Sequence, residues 1–171
     1  MIDIRQATTP AELDDVRALI RAFLAWHRAH HIEDIALIEG YFDPGAFEEE
    51  LATLPGKYAP AKGGSLRIAY VDGEPLGCVA LRDLGEGACE MKRMFVPERA
   101  RGIGVGRALE AQIREDARAG GYRLMRLDTS YRQEAAIRLY EGAGFKRIAP
   151  YYEIPEAMKN WLVFFELELE L

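Results

Sequence analysis

Apolar residues recur along this chain in two rhythms, one helical and one alternating, and their order sets out a fold. Residues 2–6 read Ile-Asp-Ile-Arg-Gln, a two-residue alternation that predicts a short strand. Thr9-Pro10-Ala11-Glu12 has the form of a capping box with proline at the first helical position. The helix it opens repeats Leu13, Val16, Leu19, Ile20, Phe23 and Leu24 and runs out near His30. Residues 31–42 read as a loop or short turn. Asp43-Pro44 then starts a second helix, with Phe47 and Leu51 on its inner face, that ends before Pro55. Residues 55–65 hold prolines and glycines without periodicity and predict a loop.

Residues 66–71 predict a strand, Asp72-Gly73 a hairpin turn, and residues 75–81 its partner. Gly85-Glu86-Gly87 turns the chain into a third strand, residues 88–96, completing an antiparallel meander. Alternation along that strand puts Glu90, Lys92, Met94 and Val96 on one face and Cys89, Met91, Arg93 and Phe95 on the other. A helix over residues 104–118 follows and stops at Gly120-Gly121. Residues 123–128 predict a strand parallel to 88–96, since a helix joins the two. Ser130 and Gln133 fit a second capping box, opening a helix that ends at Gly142 or Gly144. Residues 145–149 and 161–169 read as the last two strands, the latter setting Leu167 and Leu169 against Glu166, Glu168 and Glu170. The order is β-α-α-β-β-β-α-β-α-β-β. With no repeat and no linker, residues 1–171 predict one α/β (α+β) domain. Its mixed central sheet has about seven strands flanked by about four helices.

Composition narrows the functions open to such a domain. A net charge of −6 argues against a nucleic-acid footprint, which needs a basic face. Cys78 and Cys89 lie in apolar strand-like runs and read as buried, reduced thiols of a cytoplasmic protein. The first residues lack a basic segment followed by an apolar one, so no signal peptide is expected. No apolar run approaches the ~20 residues of a membrane span.

The densest chemical signal is Arg101-Gly102-Ile103-Gly104-Val105-Gly106, followed by Arg107, between the third meander strand and the helix at 104–118. Glycines there let backbone N–H groups approach a ligand with no Cβ in the way. The helix start aims unpaired N–H groups and a partial positive charge at the same place. That is an anion site suited to phosphate or pyrophosphate, and Arg99, Arg101 and Arg107 add full charges. A dinucleotide fingerprint, G-x-G-x-x-G, is absent, as is the P-loop string G-x-x-x-x-G-K-[ST]. Nucleotide-dependent hydride transfer and kinase chemistry are disfavoured accordingly.

The string Arg101-x-x-Gly104-x-Gly106 resembles the pyrophosphate-binding signature of the GNAT (GCN5-related) N-acetyltransferase superfamily. The segment Ala136-x-x-Leu139-Tyr140-Glu141-x-x-Gly144-Phe145 is similar to a second motif of that family, and the element order matches its fold over nearly the whole chain. The resemblance implies acetyl-CoA as acetyl donor, bound by Arg101–Arg107 and Ala136, with the Met94–Phe95–Val96 backbone holding the pantetheine arm like an added strand. It implies Tyr140 as the general acid for the departing thiolate, a role suited to a phenol of pKa ~10. It implies Glu90 as the general base, acting directly or through water. Many family members carry asparagine near the start of the Tyr140 helix; here Gln133 is the nearest polar substitute.

Taken residue by residue, Tyr140 also fits a core tyrosine whose hydroxyl bonds to backbone, and Glu90 a strand charge paired with Arg82 or Arg93. His27, His30 and His31 fall at helical spacing, but no cysteine stands near and no metal is expected. The resemblance places Trp26, His27, His30, His31, Tyr41, Tyr151, Tyr152 and Trp161 around an acceptor pocket. The implied reaction is direct attack of an acceptor's primary amine in a ternary complex. The alternative is a non-catalytic CoA-binding module serving as sensor or scaffold. The acceptor, a small-molecule or protein amine, is not specified, and a homodimer through the last strand is compatible with the pattern without being required by it.

Overall fold

The computed structural model describes residues 1–170. Seven strands form one sheet in the order β1-β2-β3-β4-β5-β7-β6. They are β1 (Ile2–Gln6), β2 (Ser65–Val71), β3 (Glu74–Gly85), β4 (Ala88–Phe95), β5 (Leu124–Ser130), β6 (Lys146–Ile148) and β7 (Leu162–Glu168). All neighbours are antiparallel except β4 and β5. Five helices cover the faces: α1 (Pro10–His30), α2 (Ile35–Tyr41), α3 (Pro44–Ala52), α4 (Val105–Ala119) and α5 (Glu134–Gly142). The core lies in two layers. Val16, Leu19, Ile20 and Leu24 of α1 pack with Phe47 and Leu51 of α3 on one face of the sheet. Val105, Leu109, Ile113 and Ala117 of α4 pack with Ile137 and Tyr140 of α5 on the other.

Local chemistry accounts for most element ends. Thr9 accepts a hydrogen bond from the Glu12 amide and Glu12 accepts one from the Thr9 amide, so the capping box that opens α1 is closed both ways. Asp72 and Gly73 both take positive φ, 52° and 83°, as a tight hairpin turn requires. Gly77 serves a different need. A Cβ there would stand 2.8 Å from Leu109 and 2.9 Å from Val105, so its absence lets α4 lie close on β3.

The sequence reading departs from the structure in several places, two of them connecting segments. Residues 31–42 are not a loop: a 3-10 turn (Ile32–Asp34) leads into α2, seven residues long. Ser130 does not cap α5. It is the last residue of β5, paired with Leu162 of β7, and α5 begins at Glu134 without a side-chain cap. Pairing with β7 extends β5 past the apolar pattern that marked it.

The feature that shapes the site lies in β4. Lys92 pairs with Ala80 and Phe95 with Cys78, so two residues of β4, Arg93 and Met94, oppose the single Val79. This is a β-bulge, and Arg93 carries it at φ +56°, a conformation uncommon outside glycine. The bulge breaks the expected alternation. Lys92, Arg93 and Phe95 all face α1 and α3, whereas Met94 and Val96 turn toward α4. Glu50 of α3 holds the strained residue in place, accepting from Arg93 Nε at 2.7 Å and Nη2 at 3.2 Å. The guanidinium lies 5.2 Å from the Phe42 ring centre, and the Cys78 thiol donates to the Arg93 carbonyl at 3.4 Å. Burial raises the proton affinity of Glu50, but Arg93 and Lys57 outweigh it and hold the carboxylate below its ordinary range.

Removing one partner of a buried ion pair leaves the other charge uncompensated, at a cost of about 3–5 kcal/mol. Glu50→Ala is therefore expected to lower the free energy of urea unfolding by about that amount. Glu50→Gln, which keeps an acceptor but removes the charge, should also lose stability; losses near zero in both variants would mean the pair does not secure the bulge.

Candidate active site

Just before the bulge, β4 and β5 part. Their parallel pairing runs Ala88↔Leu124, Cys89↔Met125 and Glu90↔Arg126 and goes no further, although β4 continues to Phe95 and β5 to Ser130. Leu127–Ser130 keep their pairing with β7 on the far side. The edge of β4 facing β5 is thus bare of strand partners from Met91 onward, and a cleft opens between the two.

A groove of about 810 Å³ enters this cleft from the α4–α5 end. Met94, Phe95 and Val96 form one wall, and Arg101, Gly102, Gly104, Val105, Gly106 and Arg107 form its floor. Gly102 and Gly104 adopt φ +83° and +93°, and Gly104 is the residue from which α4 starts. The first helical backbone bond here is Ala108 N–H to the Gly104 carbonyl, leaving the Val105, Gly106 and Arg107 amides as first-turn donors. Gly106 needs no special φ; its missing side chain leaves those amides open. Arg101 Nε donates to the Val96 carbonyl at 3.3 Å, and its guanidinium lies 4.8 Å from the Trp26 ring centre. Arg107, Arg132 and Arg138 also line the groove, against Glu134 as the acidic side chain. In a chain of net charge −6 this is a local concentration of positive charge. Ile103 is exposed and does not line it, and Arg99 turns away to Glu74 at 2.9 Å.

Asp34 fixes the groove's rim. It accepts from Arg132 Nε at 2.5 Å and Trp161 Nε1 at 3.1 Å, tying the turn before α2 to the loop before α5.

The groove shares Phe23, Met94, Gln133 and Ala136 with a smaller inner chamber of about 70 Å³. Tyr140, Lys92, Arg93, Asp128, Ser130, His27, Tyr41 and Trp161 line that chamber as well. Tyr140 is buried, and burial first, then Asp128 and Glu110, raise its pKa above the ordinary phenol value; no hydrogen bond is among the causes. Asp128 accepts from the Tyr41 hydroxyl at 2.5 Å and from the Tyr152 hydroxyl. Lys92 Nζ donates to the Tyr41 hydroxyl at 3.2 Å. A third cavity of about 360 Å³, between α3 and the turn at residues 56–58, shares Tyr41, Phe42 and Arg93 with the chamber.

Glu90 lines none of these cavities. It is buried behind them, holding Arg82 Nε at 2.7 Å and the Tyr151 hydroxyl, with Lys92 Nζ at 3.8 Å. Burial raises its proton affinity, but Lys92, Tyr151 and Arg82 outweigh that and keep the carboxylate low. It lines none of the three cavities, so direct contact with an acceptor, the first of the two routes the resemblance implied, is not offered. The carboxylate facing the chamber is Asp128, the last residue of the strand predicted over residues 123–128 and not among the expected catalytic groups.

The residues expected around an acceptor divide three ways. Trp26, His30 and His31 line the large groove, His27, Tyr41 and Trp161 line the chamber, and Tyr151 and Tyr152 line neither but hold Glu90 and Asp128. The histidines join no cluster of three or more metal-ligating side chains among the described residues. His30 stacks on Trp26 at 4.6 Å instead. Cys78 and Cys89 are fully buried, line none of these three cavities, and burial pushes both thiols up to about 12.

A glycine-started helix at the mouth of a splayed parallel strand pair is the arrangement that the sequence resemblance implied, and comparison with known proteins agrees. The acetyltransferase (GNAT) family model matches residues 26–145. This chain belongs to the GNAT acetyltransferase family. It is 34% identical over 155 residues to an uncharacterised N-acetyltransferase of Schizosaccharomyces pombe, covering 90% of this chain and 88% of that one. Its fold superposes on a solved chain from Klebsiella pneumoniae with TM-score 0.72 and 28% identity, covering 99% of each. A Thermoplasma acidophilum N-acetyltransferase, solved in complex with coenzyme A, has TM-score 0.71 at 15% identity over 98% of this chain and 99% of that one. In this GNAT protein the groove with its glycine turn adjoins the chamber lined by Tyr140.

His27 gives this chamber a pH signature. Burial beside Phe23, Phe42 and Trp161 pushes its imidazole down from 6.5 to about 4. The folded state resists a proton that the unfolded chain accepts, so the contribution is complete above pH 6.5 and is lost as pH falls toward 4. His27→Phe should lose less unfolding free energy than the parent between pH 6.5 and pH 4, as followed by urea titration; parallel losses would place His27 in a wet, titrating site.

Proposed function

We propose that this protein is an acetyl-CoA-dependent N-acetyltransferase, moving the acetyl group to a primary amine by direct attack in a ternary complex. The observation that carries the reading is that the electropositive groove adjoins the chamber holding Tyr140, with Phe23, Met94, Gln133 and Ala136 lining both. The groove's chemistry fits coenzyme A: first-turn amides and Arg101 and Arg107 for the diphosphate, the bare β4 edge for the amide-bearing arm. Gln133 adds a buried Nε2 with no protein partner, at the position where many family members place asparagine. Acetyl-CoA supplies the acetyl group as a thioester.

Within the chamber Tyr140 is held protonated by burial, ready to give its proton to the departing sulfur. The amine nitrogen forms its bond to the acetyl carbon as the carbon–sulfur bond breaks. Asp128 receives the proton that the amine gives up, steadied meanwhile by Tyr41 and Tyr152. Glu90 acts one layer back, anchoring Lys92. The two cysteines stand outside the cavities and stay protonated, which favours direct attack over a cysteine-bound acyl group. The alternative of a binding module without turnover is disfavoured because acid, carboxylate and groove are all in place.

Isothermal titration should give micromolar binding of acetyl-CoA. Arg101→Glu should weaken it roughly tenfold or more, about 1.4 kcal/mol. Tyr140→Phe should bind as the parent does yet lose about a hundredfold in kcat. Absence of binding by the parent protein would overturn the reading, and unchanged kcat in Tyr140→Phe would remove the acid role.

A further inference from the structure

Resting on that reading, we propose that the acceptor is a small amino acid-type zwitterion, its ammonium against Asp128 and its carboxylate against Lys92. The chamber wall carries two opposite charges that meet each other only through a phenol hydroxyl. Lys92 has one carboxylate within ion-pair reach, Glu90 at 3.8 Å, and Glu90 is already paired with Arg82 at 2.7 Å. Two cations thus share a single buried anion, and the excess positive charge belongs to Lys92, the one that faces the chamber. Arg93 differs, since Glu50 accepts two hydrogen bonds from it and the second cation on Glu50, Lys57, is half-exposed to solvent. Asp128 is the reverse case. Its oxygens are held by two neutral phenols, and no ion pair among the described residues includes it.

These two charges sit either side of one atom, the Tyr41 hydroxyl oxygen, which accepts from Lys92 and donates to Asp128. An α-amino acid presents its own charges in the same way, ammonium and carboxylate separated by one carbon. Placed head-first, it completes both protein charges at once. A simple amine leaves Lys92 unmatched, and charge left unmatched in a desolvated site is costly.

Two further groups ask for a ligand. Ser130 Oγ and His27 Nδ1 are buried without any hydrogen-bond partner, on residues 4% and 3% exposed that both line the chamber. Each offers a donor to a carboxylate oxygen. Size agrees as well. About 70 Å³ suits a small head group, and the 360 Å³ cavity adjoins it across Tyr41, Phe42 and Arg93.

The test follows free thiol released from acetyl-CoA with each of the twenty amino acids. It then compares matched amines lacking the carboxylate, such as leucine with 3-methylbutylamine, alongside titration of acetyl-CoA binding to the same samples. The proposal expects at least one amino acid to be acetylated with kcat/KM tenfold or more above its decarboxylated partner. It also expects Lys92→Met to raise KM for the amino acid at least tenfold more than it raises KM for the matched amine. Equal use of both members of each pair overturns the proposal and leaves the acetyltransferase reading standing. Acetyl-CoA binding with no amino acid turned over overturns it too. Failure of acetyl-CoA to bind marks instead the failure of the reading on which it rests.

Discussion

Parallel pairing between β4 and β5 ends after three residue pairs, and everything the site offers depends on that ending. A paired β4 would spend its edge groups on β5, and the space between would be core. The extra residue at Arg93 reverses the facing of the strand, sending Met94 and Val96 toward α4 and leaving Lys92 and Arg93 on the face of α1 and α3. Such a backbone costs on the order of 1–3 kcal/mol unless its surroundings over-determine it. Glu50, Phe42 and the Cys78 thiol do so, from three separate elements. The strain is local, and it sits where the chain must open.

Charge is laid out on the same plan. Arginines gather along the groove of a chain that is acidic overall, so an anion meets attraction there and little elsewhere. Inside, charge is used sparingly and almost always shared: Glu90 with Arg82 and Tyr151, Glu50 with Arg93, Asp128 with two tyrosines. Phenols do much of this work because they partner a buried carboxylate without adding a second charge. Tyr140, with no hydrogen bond among the causes of its raised pKa, is the phenol left for chemistry.

Much of this was legible in the sequence, for identifiable reasons. The capping box at Thr9, the Asp72-Gly73 hairpin and the glycine turn at Gly102–Gly106 each encode structure within a few residues, and each formed as read. The strand at residues 88–96 and the crossover to β5 followed from alternation and from the helix between them. What escaped depends on distance or on shortness. The Arg93 bulge carries no glycine to announce it, and its anchor Glu50 lies 43 residues away. Seven residues of α2 are too few for a 3.6-residue period to stand out. Ser130 looked like a cap because its partner strand, β7, comes thirty residues later. Glu90 drew attention as a carboxylate on the right strand, but only the fold reveals that Arg82 and Tyr151 enclose it while Asp128 faces the chamber.

The bare β4 edge and the glycine turn are held to be one ligand-binding surface, and amide hydrogen exchange tests that claim most directly. In the free protein the amides of β4 that face β5, and those of Val105, Gly106 and Arg107, have no backbone acceptor and should exchange fast. Saturating acetyl-CoA should slow both sets together, from Met91 to Val96 and from Gly102 to Arg107, with little change in β1 or β6. Protection of the glycine turn alone, or protection centred on another cavity, would contradict the account.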